Sequence, residues 1–404
     1  MYKIEEAFSY NHLELALKKC ELGKRKHKST VLYHMNQYDK LIKLQNRILS
    51  GEYHPRSIYS FTIYEPKKRN ITANYFEDKI VQRVLCENLL EPLIQPKLIY
   101  DNYASQVGKG THAGLHRLEK FIYAAIKEAN WNDDLWVLSA DISKYFYSIN
   151  RDICFDLVKK LPMDNKLLDL MKNVINSYGF DTNEYYSPKE RKGLCIGFQT
   201  SQWLAVYYMN GLDHFIKEKL HIKYYGRYMD DFYLIHKDKE YLKYCLEEIR
   251  KYVEEKLDLK LNKKTYIHPL SQGVCFLGYR CYFDHNKMKV ITEIRKRSVH
   301  KIERKIRKHK KLIKDGRISV KVSLQSIESW TAYANHSCTH IPENVYSKLI
   351  NMISDELRED MFSSDYESVW NGNMKYAYYG TNKDYNMDIS NLRLMLDCLN
   401  LIFV

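Results

Sequence analysis

Two adjacent carboxylates, Asp230 and Asp231, stand in the run Tyr228-Met229-Asp230-Asp231, between Lys223–Arg227 and Phe232–His236. Both flanks read as strands, so the pattern is a β-hairpin presenting two acids at its turn. Carboxylates this close repel each other unless a donor or a cation neutralises them. The simplest resident cation is Mg²⁺, which takes a few carboxylates and completes its shell with water and substrate phosphate oxygens. Asp is also an ordinary turn residue, so the pair gains meaning only beside a third acid and a phosphate-binding group. Asp141 is the candidate third acid, at the end of the apolar, β-favouring run Leu135–Ala140. A carboxylate there is costly unless it holds a metal, faces a cleft or caps the helix expected to begin near Asn150 or Arg151. With Asp230 it can bracket two divalent ions about 3.5–4 Å apart, the arrangement used for in-line phosphoryl transfer.

The elements that must position these acids are legible from periodicity. Residues 1 to about 50 read as helical, with Leu13, Leu15 and Leu17, then Leu41, Ile42, Leu44 and Ile48, as apolar stripes around the basic patch Lys24-Arg25-Lys26-His27-Lys28. Tyr59–Tyr64 alternates like a strand, Ile71-Thr72-Ala73 like its partner, and Pro66-Lys67-Lys68-Arg69 is the tip between them. Residues 77–96 and 112–128 are helical by spacing. From Arg295 to Arg317 the chain becomes a basic amphipathic helix, with Val299, Ile302, Ile306 and Ile313 on its other face. Such a helix is either a solvated charged surface or a contact for a nucleic-acid backbone, and the bias of sign favours the second.

The whole-chain composition agrees. Lys and Arg number 64 against 50 Asp and Glu in 404 residues, a net charge of +14, which favours a polyanionic partner or an anionic surface. No apolar run has the length of a spanning helix and no N-terminal signal pattern is present, so the expectation is a cytoplasmic protein without a membrane partner. The nine Cys include no C-x-x-C pair, which reads as reduced thiols. His336-Ser337-Cys338-Thr339-His340 has the look of a metal clip but lacks a second ligand cluster. The 35 Tyr read mainly as core and groove-wall packing, with base stacking as the other use of such rings.

Taken in order, these segments resemble the motifs of reverse transcriptases. Ser139-Ala140-Asp141-Ile142-Ser143-Lys144-Tyr145-Phe146 is similar to the first catalytic motif, Gly193–Gln202 running into Asn210-Gly211-Leu212-Asp213 to the second, and Tyr228-Met229-Asp230-Asp231 to the third. Upstream, Asp101-Asn102-Tyr103-Ala104-Ser105 and Gly108-Lys109-Gly110-Thr111-His112 resemble the bacterial branch. Downstream, Leu261-Asn262-Lys263-Lys264-Thr265 and Phe276-Leu277-Gly278-Tyr279 are similar to the fourth and fifth motifs. The resemblance covers roughly residues 50 to 335. It implies an α+β right-hand polymerase fold: a helical extension over 1–55, fingers and an antiparallel-sheet palm over 56–285, and a helical thumb with a tail over 286–404. It also implies an RNA-directed DNA polymerase that extends a 3′-hydroxyl with dNTPs, using two Mg²⁺ ions for which Mn²⁺ can substitute. Its implied partners are an RNA template, a DNA primer and product, and dNTPs, with an accessory protein as a further candidate.

The resemblance also suggests roles. Asp141 and Asp230 would hold the ions, assisted by Asp231 and the carbonyl of Ile142. Lys68 or Arg69 would clamp the β- and γ-phosphates, a task suited to the planar fork of Arg. Lys264 would protonate the departing pyrophosphate or merely support the fold. Phe146 would stand beside the sugar C2′ and exclude a ribose hydroxyl. Ile196, Gly197 and Gln202 would line the nucleotide site, and Phe276, Leu277, Gly278 and Tyr279 would grip the primer. Arg295, Lys296, Arg304, Lys308 and Lys311 would meet nucleic-acid phosphates. One departure is informative. Group II intron and retroviral enzymes carry Gln-Gly in the second motif, often followed by Ser-Pro, where this chain has Ile196-Gly197 and Ser201-Gln202. That pattern resembles the enzymes of diversity-generating retroelements, which copy a dedicated noncoding RNA with errors at adenines. Some phage-defence reverse transcriptases share parts of it, and an antiviral-defence enzyme making repetitive or non-templated DNA is the alternative setting. A catalytically silent RNA-binding scaffold is the alternative from another class, and the intact acids argue against it. No endonuclease, maturase or RNase H motif is evident.

Overall fold

The computed structural model describes residues 1–56, 59–64, 69–131, 134–177, 191–336 and 343–354. The chain divides into two compact units, Met1–Leu277 with Tyr282–Val290, and Gly278–Cys281 with the chain from Ile291 onward.

The first unit opens with helices α1 (Ile4–Ala7), α2 (Tyr10–Glu21), α3 (Lys28–His34) and α4 (Gln37–Leu49). Leu13 and Leu17 are buried, as are Leu41, Leu44 and Ile48. Leu15, expected in the same stripe, is exposed. Two residues carry it about 200° around the helix from Leu13, onto the opposite face. Strands β1 (Tyr59–Ile63) and β2 (Arg69–Ala73) form an antiparallel hairpin. Helix α5 (Phe76–Leu85) continues through a π-turn into α6 (Glu91–Ile94), and α7 (Thr111–Glu128) follows.

The centre of this unit is a four-stranded sheet. Its strands are β3 (Trp136–Asp141), β4 (Tyr224–Tyr228), β5 (Asp231–His236) and β6 (Tyr266–Pro269), in the order β4-β5-β3-β6 and antiparallel throughout. Between β3 and β4 run α8 (Tyr145–Ser148), α9 (Arg151–Val158), α10 (Asn165–Asn176), α11 (Gln199–Tyr208) and α12 (Asn210–His214), and α13 (Lys239–Leu257) joins β5 to β6. The helix near residue 150 is capped by Asn150, whose side chain accepts from the N–H groups of Asp152 and Ile153, so Asp141 does not serve that purpose. Leu138, Ala140, Phe232 and Leu234 of the sheet share one core with Leu204 and Ala205 of α11 and Leu242, Cys245 and Ile249 of α13. Each fully buried aliphatic side chain adds roughly 1.5–3 kcal/mol, which makes this sheet a rigid base for whatever its ends carry. Gly226 has its place because the ring of the cross-strand Tyr233 lies over it. A Cβ at that position would sit 2.6 Å from the Tyr233 hydroxyl.

Strands β7 (Val274–Phe276), β8 (Tyr279–Asp284) and β9 (Lys289–Ile294) follow, with β8 and β9 divided between the units. The second unit continues with α14 (Lys296–Lys314), α15 (Val320–Ala334) and α16 (Glu343–Asn351) around Ile302, Ile306, Val320, Leu324, Ile327, Leu349, Ile350 and Ile353. Val299 is half-buried, and Ile313 packs on the edge of that cluster. The molecule is thus mixed helix and antiparallel sheet. Among the described residues no helix is long and apolar enough to cross a membrane, and none of the described cysteines is in a disulfide. Ser337–His340 of the His/Cys cluster and the segment from residue 355 onward lie outside the described residues.

Candidate active site

The sheet register brings the acids together. Asp231 pairs with Asp141 across β3 and β5, and with Tyr228 across β4 and β5. Met229 and Asp230 are therefore the two residues of the connecting turn. Met229 has φ of 54°, a left-handed conformation uncommon for a residue with a side chain, so the surroundings must hold it. Two bonds do so. The Ile142 N–H donates to the Asp230 carbonyl at 3.3 Å, and Arg227 Nη1 donates to the Met229 carbonyl at 2.8 Å.

Arg227 is itself fixed by a buried network. Its Nε and Nη2 each donate to Asp213 at 2.6 Å, one to Oδ1 and one to Oδ2, and both side chains are 0% exposed. Tyr225 OH donates to the same carboxylate at 2.6 Å, Asn102 Nδ2 at 3.4 Å, and Arg227 Nη2 also reaches the Val206 carbonyl at 3.1 Å. Burial lowers the basicity of the guanidinium, but the charge and hydrogen bonds of Asp213, together with Tyr225 and Tyr145, hold Arg227 above its ordinary value. The sequence reading assigned no role to either residue. The available signal was a cation inside a run that reads as a buried strand, where a charge persists only when paired.

Burial, and then the neighbouring charge of Asp141, push the Asp230 carboxyl up to about 6, while Arg69 pulls it the other way. Side by side, the two carboxylates form a donor set of hard oxygens whose mutual repulsion a divalent cation would relieve. Among the described residues no group of three or more His, Cys, Asp or Glu side chains closes into a metal cluster. An open two-acid set suits a cation that keeps water and substrate oxygens in its shell. Asp141 is held by Asn262, whose Nδ2 donates to its Oδ2 at 2.8 Å and whose N–H donates to its carbonyl at 2.7 Å. Ile142 is buried beside it.

Arg69 begins β2 and acts electrostatically on Asp230, whereas Lys68 lies outside the described residues. The same strand contacts the second motif, for the Thr72 N–H donates to the Ile196 carbonyl at 2.9 Å. Gly197 has φ of +119°, and a Cβ there would meet the Thr72 carbonyl at 2.5 Å, so only glycine lets the two segments approach this closely. Gln202 is exposed near the start of α11. Phe146 is half-buried in α8, its ring edge-on to Tyr145 at 5.7 Å, and its carbonyl accepts from the Leu194 N–H at 2.7 Å. The Lys264 side chain is exposed, and its N–H donates to Asn262 Oδ1 at 3.1 Å.

The fifth motif is partly buried. Phe276 is 2% exposed and Tyr279 1%. The Phe276 ring stands edge-on to Tyr233 at 5.0 Å, and Tyr279 OH donates to the Tyr333 carbonyl at 2.8 Å. Both rings are packed into the core. Leu277 and Gly278, with φ of 53° and 93°, form the turn between β7 and β8 and are its more accessible part. Arg295, at the N-cap of α14, and Lys296, Arg304, Lys308 and Lys311 on the helix are all exposed, whereas Ile302 and Ile306 are buried.

An antiparallel sheet that sets acids from adjoining strands side by side, one of them on a tight hairpin turn, fits the palm of a nucleotide polymerase. Residues 65–281, more than half of the chain, match the family model described as reverse transcriptase (RNA-dependent DNA polymerase), and the chain belongs to that family. No curated protein matches it. It is an RNA-directed DNA polymerase, a nucleotidyltransferase, and its family membership implies an RNA template, a DNA primer and dNTPs as partners and a general use of divalent metal ions.

Proposed function

We propose that this polymerase extends a DNA 3′-hydroxyl by a two-Mg²⁺ mechanism centred on Asp141 and Asp230, on a dedicated noncoding RNA of the kind copied in diversity-generating retroelements. The observation that supports the catalytic assignment is the pairing of Asp141 with Asp231, next to the turn residue Asp230, whose carboxyl is pushed up to about 6 by burial first and by the Asp141 charge second. When bound, the ions activate the attacking hydroxyl and neutralise charge on the leaving pyrophosphate. Asp141 and Asp230 supply the carboxylate oxygens, with Asp231 and the Ile142 carbonyl as auxiliary donors. Arg69, with Lys68, orients the triphosphate, and Phe146 walls off the 2′ position. The exposed Lys264 is a proton donor for the leaving group. The retroelement assignment rests on Ile196 and Gln202. Where related enzymes carry an amide, Ile196 offers an aliphatic side chain, and its carbonyl is already engaged by Thr72, so a hydrogen bond that would fix the nucleotide is missing. The test is Asp230→Asn. It should abolish dNTP incorporation on a primed RNA while RNA binding and folding persist, and substantial Mg²⁺-dependent synthesis by this variant would refute the assignment.

A further inference from the structure

We propose that Asn262 is a positioning residue for Asp141, selecting which oxygen of that carboxylate is left for the divalent cation. The inference rests on the assignment of Asp141 as a metal ligand. Asn262 Nδ2 takes up Asp141 Oδ2 at 2.8 Å, leaving Oδ1 as the other carboxylate oxygen. The orientation of the amide is decided by its surroundings. Asn262 Oδ1 accepts the Lys264 N–H at 3.1 Å, in a turn closed by the Thr265 N–H on the Asn262 carbonyl at 2.9 Å. Turning the amide over would set Nδ2 against that N–H and Oδ1 against a carboxylate, two repulsive contacts in place of two bonds.

The backbone is equally constrained. The Asn262 N–H donates to the Asp141 carbonyl at 2.7 Å, the Ser143 N–H donates to the Lys260 carbonyl at 2.9 Å, and Ile142 bridges Leu261 between them. Residues 141–143 are thereby zipped against 260–262, and Asn262 moves with the acid it orients. A neutral donor suits this position. A Lys or Arg would pair with the carboxylate and compete with the incoming cation, whereas an amide aims the group and leaves it its full negative charge. Outer-sphere partners that orient a metal ligand in this way typically contribute 10- to 100-fold in metal affinity.

The decisive variant is Asn262→Ser. Its hydroxyl still accepts the Lys264 N–H in a serine turn, but it is too short to reach Asp141. Mn²⁺ binding to the full chain is read from the loss of the free-ion electron paramagnetic resonance signal, and dNTP incorporation is titrated with Mn²⁺ in parallel. Half-saturating Mn²⁺ should rise about 10- to 100-fold in both assays. Incorporation should recover at high Mn²⁺, and the thermal midpoint of the metal-free chain should move little. In an Asp141→Asn background the same substitution should leave Mn²⁺ binding unchanged. If Asn262→Ser lowers incorporation equally at every Mn²⁺ concentration with binding unaltered, Asn262 only supports its turn and the proposal falls. If Asp141→Asn alone binds Mn²⁺ as tightly as the parent chain, the metal-ligand assignment beneath it falls first. Should Asn262→Ser not fold, Asn262→Gln, which displaces the donor by one methylene, decides on the same two readouts.

Discussion

Replacing Arg227 by Met should be strongly destabilising. The substitution keeps much of the side-chain length but strands Asp213 at 0% exposure, with the hydrogen bonds from Tyr225 and Asn102 still in place. Removing one partner of a buried ion pair costs about 3–5 kcal/mol, because an uncompensated charge is left behind. An exposed pair such as Lys243–Glu240 contributes at most about 1 kcal/mol. Against a typical total stability of about 5–15 kcal/mol, the Arg227 loss is a large fraction, and urea unfolding will show it as a lower midpoint at unchanged slope. The double variant Arg227→Met/Asp213→Asn removes both charges and should recover a good part of that loss, so the two single effects will not add. Its activity should nevertheless stay low, because the Met229 carbonyl has lost the donor that fixes the turn bearing Asp230. A cost below about 1 kcal/mol for Arg227→Met would refute the buried-pair argument. Full recovery of dNTP incorporation in the double variant would show that Arg227 stabilises the fold without positioning the turn.

Other outcomes follow from the same geometry. The Asp230 carboxyl titrates near 6 against an ordinary 3.8, so the folded metal-free chain binds this proton more tightly than the unfolded one and loses stability as pH rises from about 4 to about 6. Asp230→Asn, inactive in synthesis, should therefore stabilise the metal-free chain at pH 8 by on the order of 2–3 kcal/mol, with the gain gone near pH 4, and equal denaturation midpoints at pH 8 would count against the carboxylate repulsion. Exchanging Arg295, Lys296, Arg304, Lys308 and Lys311 for Gln should weaken RNA binding and flatten its salt dependence by about 0.7–0.9 in log–log slope per lost phosphate contact, whereas an unchanged slope would make α14 a solvated surface. Phe146→Ala should raise ribonucleotide relative to deoxynucleotide incorporation, and a constant ratio would remove Phe146 from the sugar site. Ile196→Gln should alter misincorporation on a defined RNA template, and an unaltered error spectrum would remove the support for a retroelement enzyme.

The acids and their hairpin were legible in the sequence because their determinants are local. The strand-favouring runs on either side of Met229-Asp230, the apolar run ending at Asp141 and the spacing of Leu41, Leu44 and Ile48 each act over a few residues, where alternation, helical period and turn chemistry suffice. What tertiary structure decided are the pairings between distant segments. Arg227 meets Asp213, Asn262 meets Asp141 from 121 positions away, and Thr72 meets Ile196; each depends on strand register and on how the helices pack over the sheet. The same cause explains where Leu15, Phe276 and Tyr279 lie. Leu15 lies outside its stripe because the helical period, and not apolar character, selects the buried face. Phe276 and Tyr279 are core rings because each found an aromatic neighbour, Tyr233 and Tyr333 respectively, and a one-dimensional pattern does not distinguish a ring that packs from a ring that binds. Composition and local order determined that acids would be presented on strands and a turn, while the buried Arg227–Asp213 pair and the Asn262 amide, set by long-range packing, determined how those acids are held.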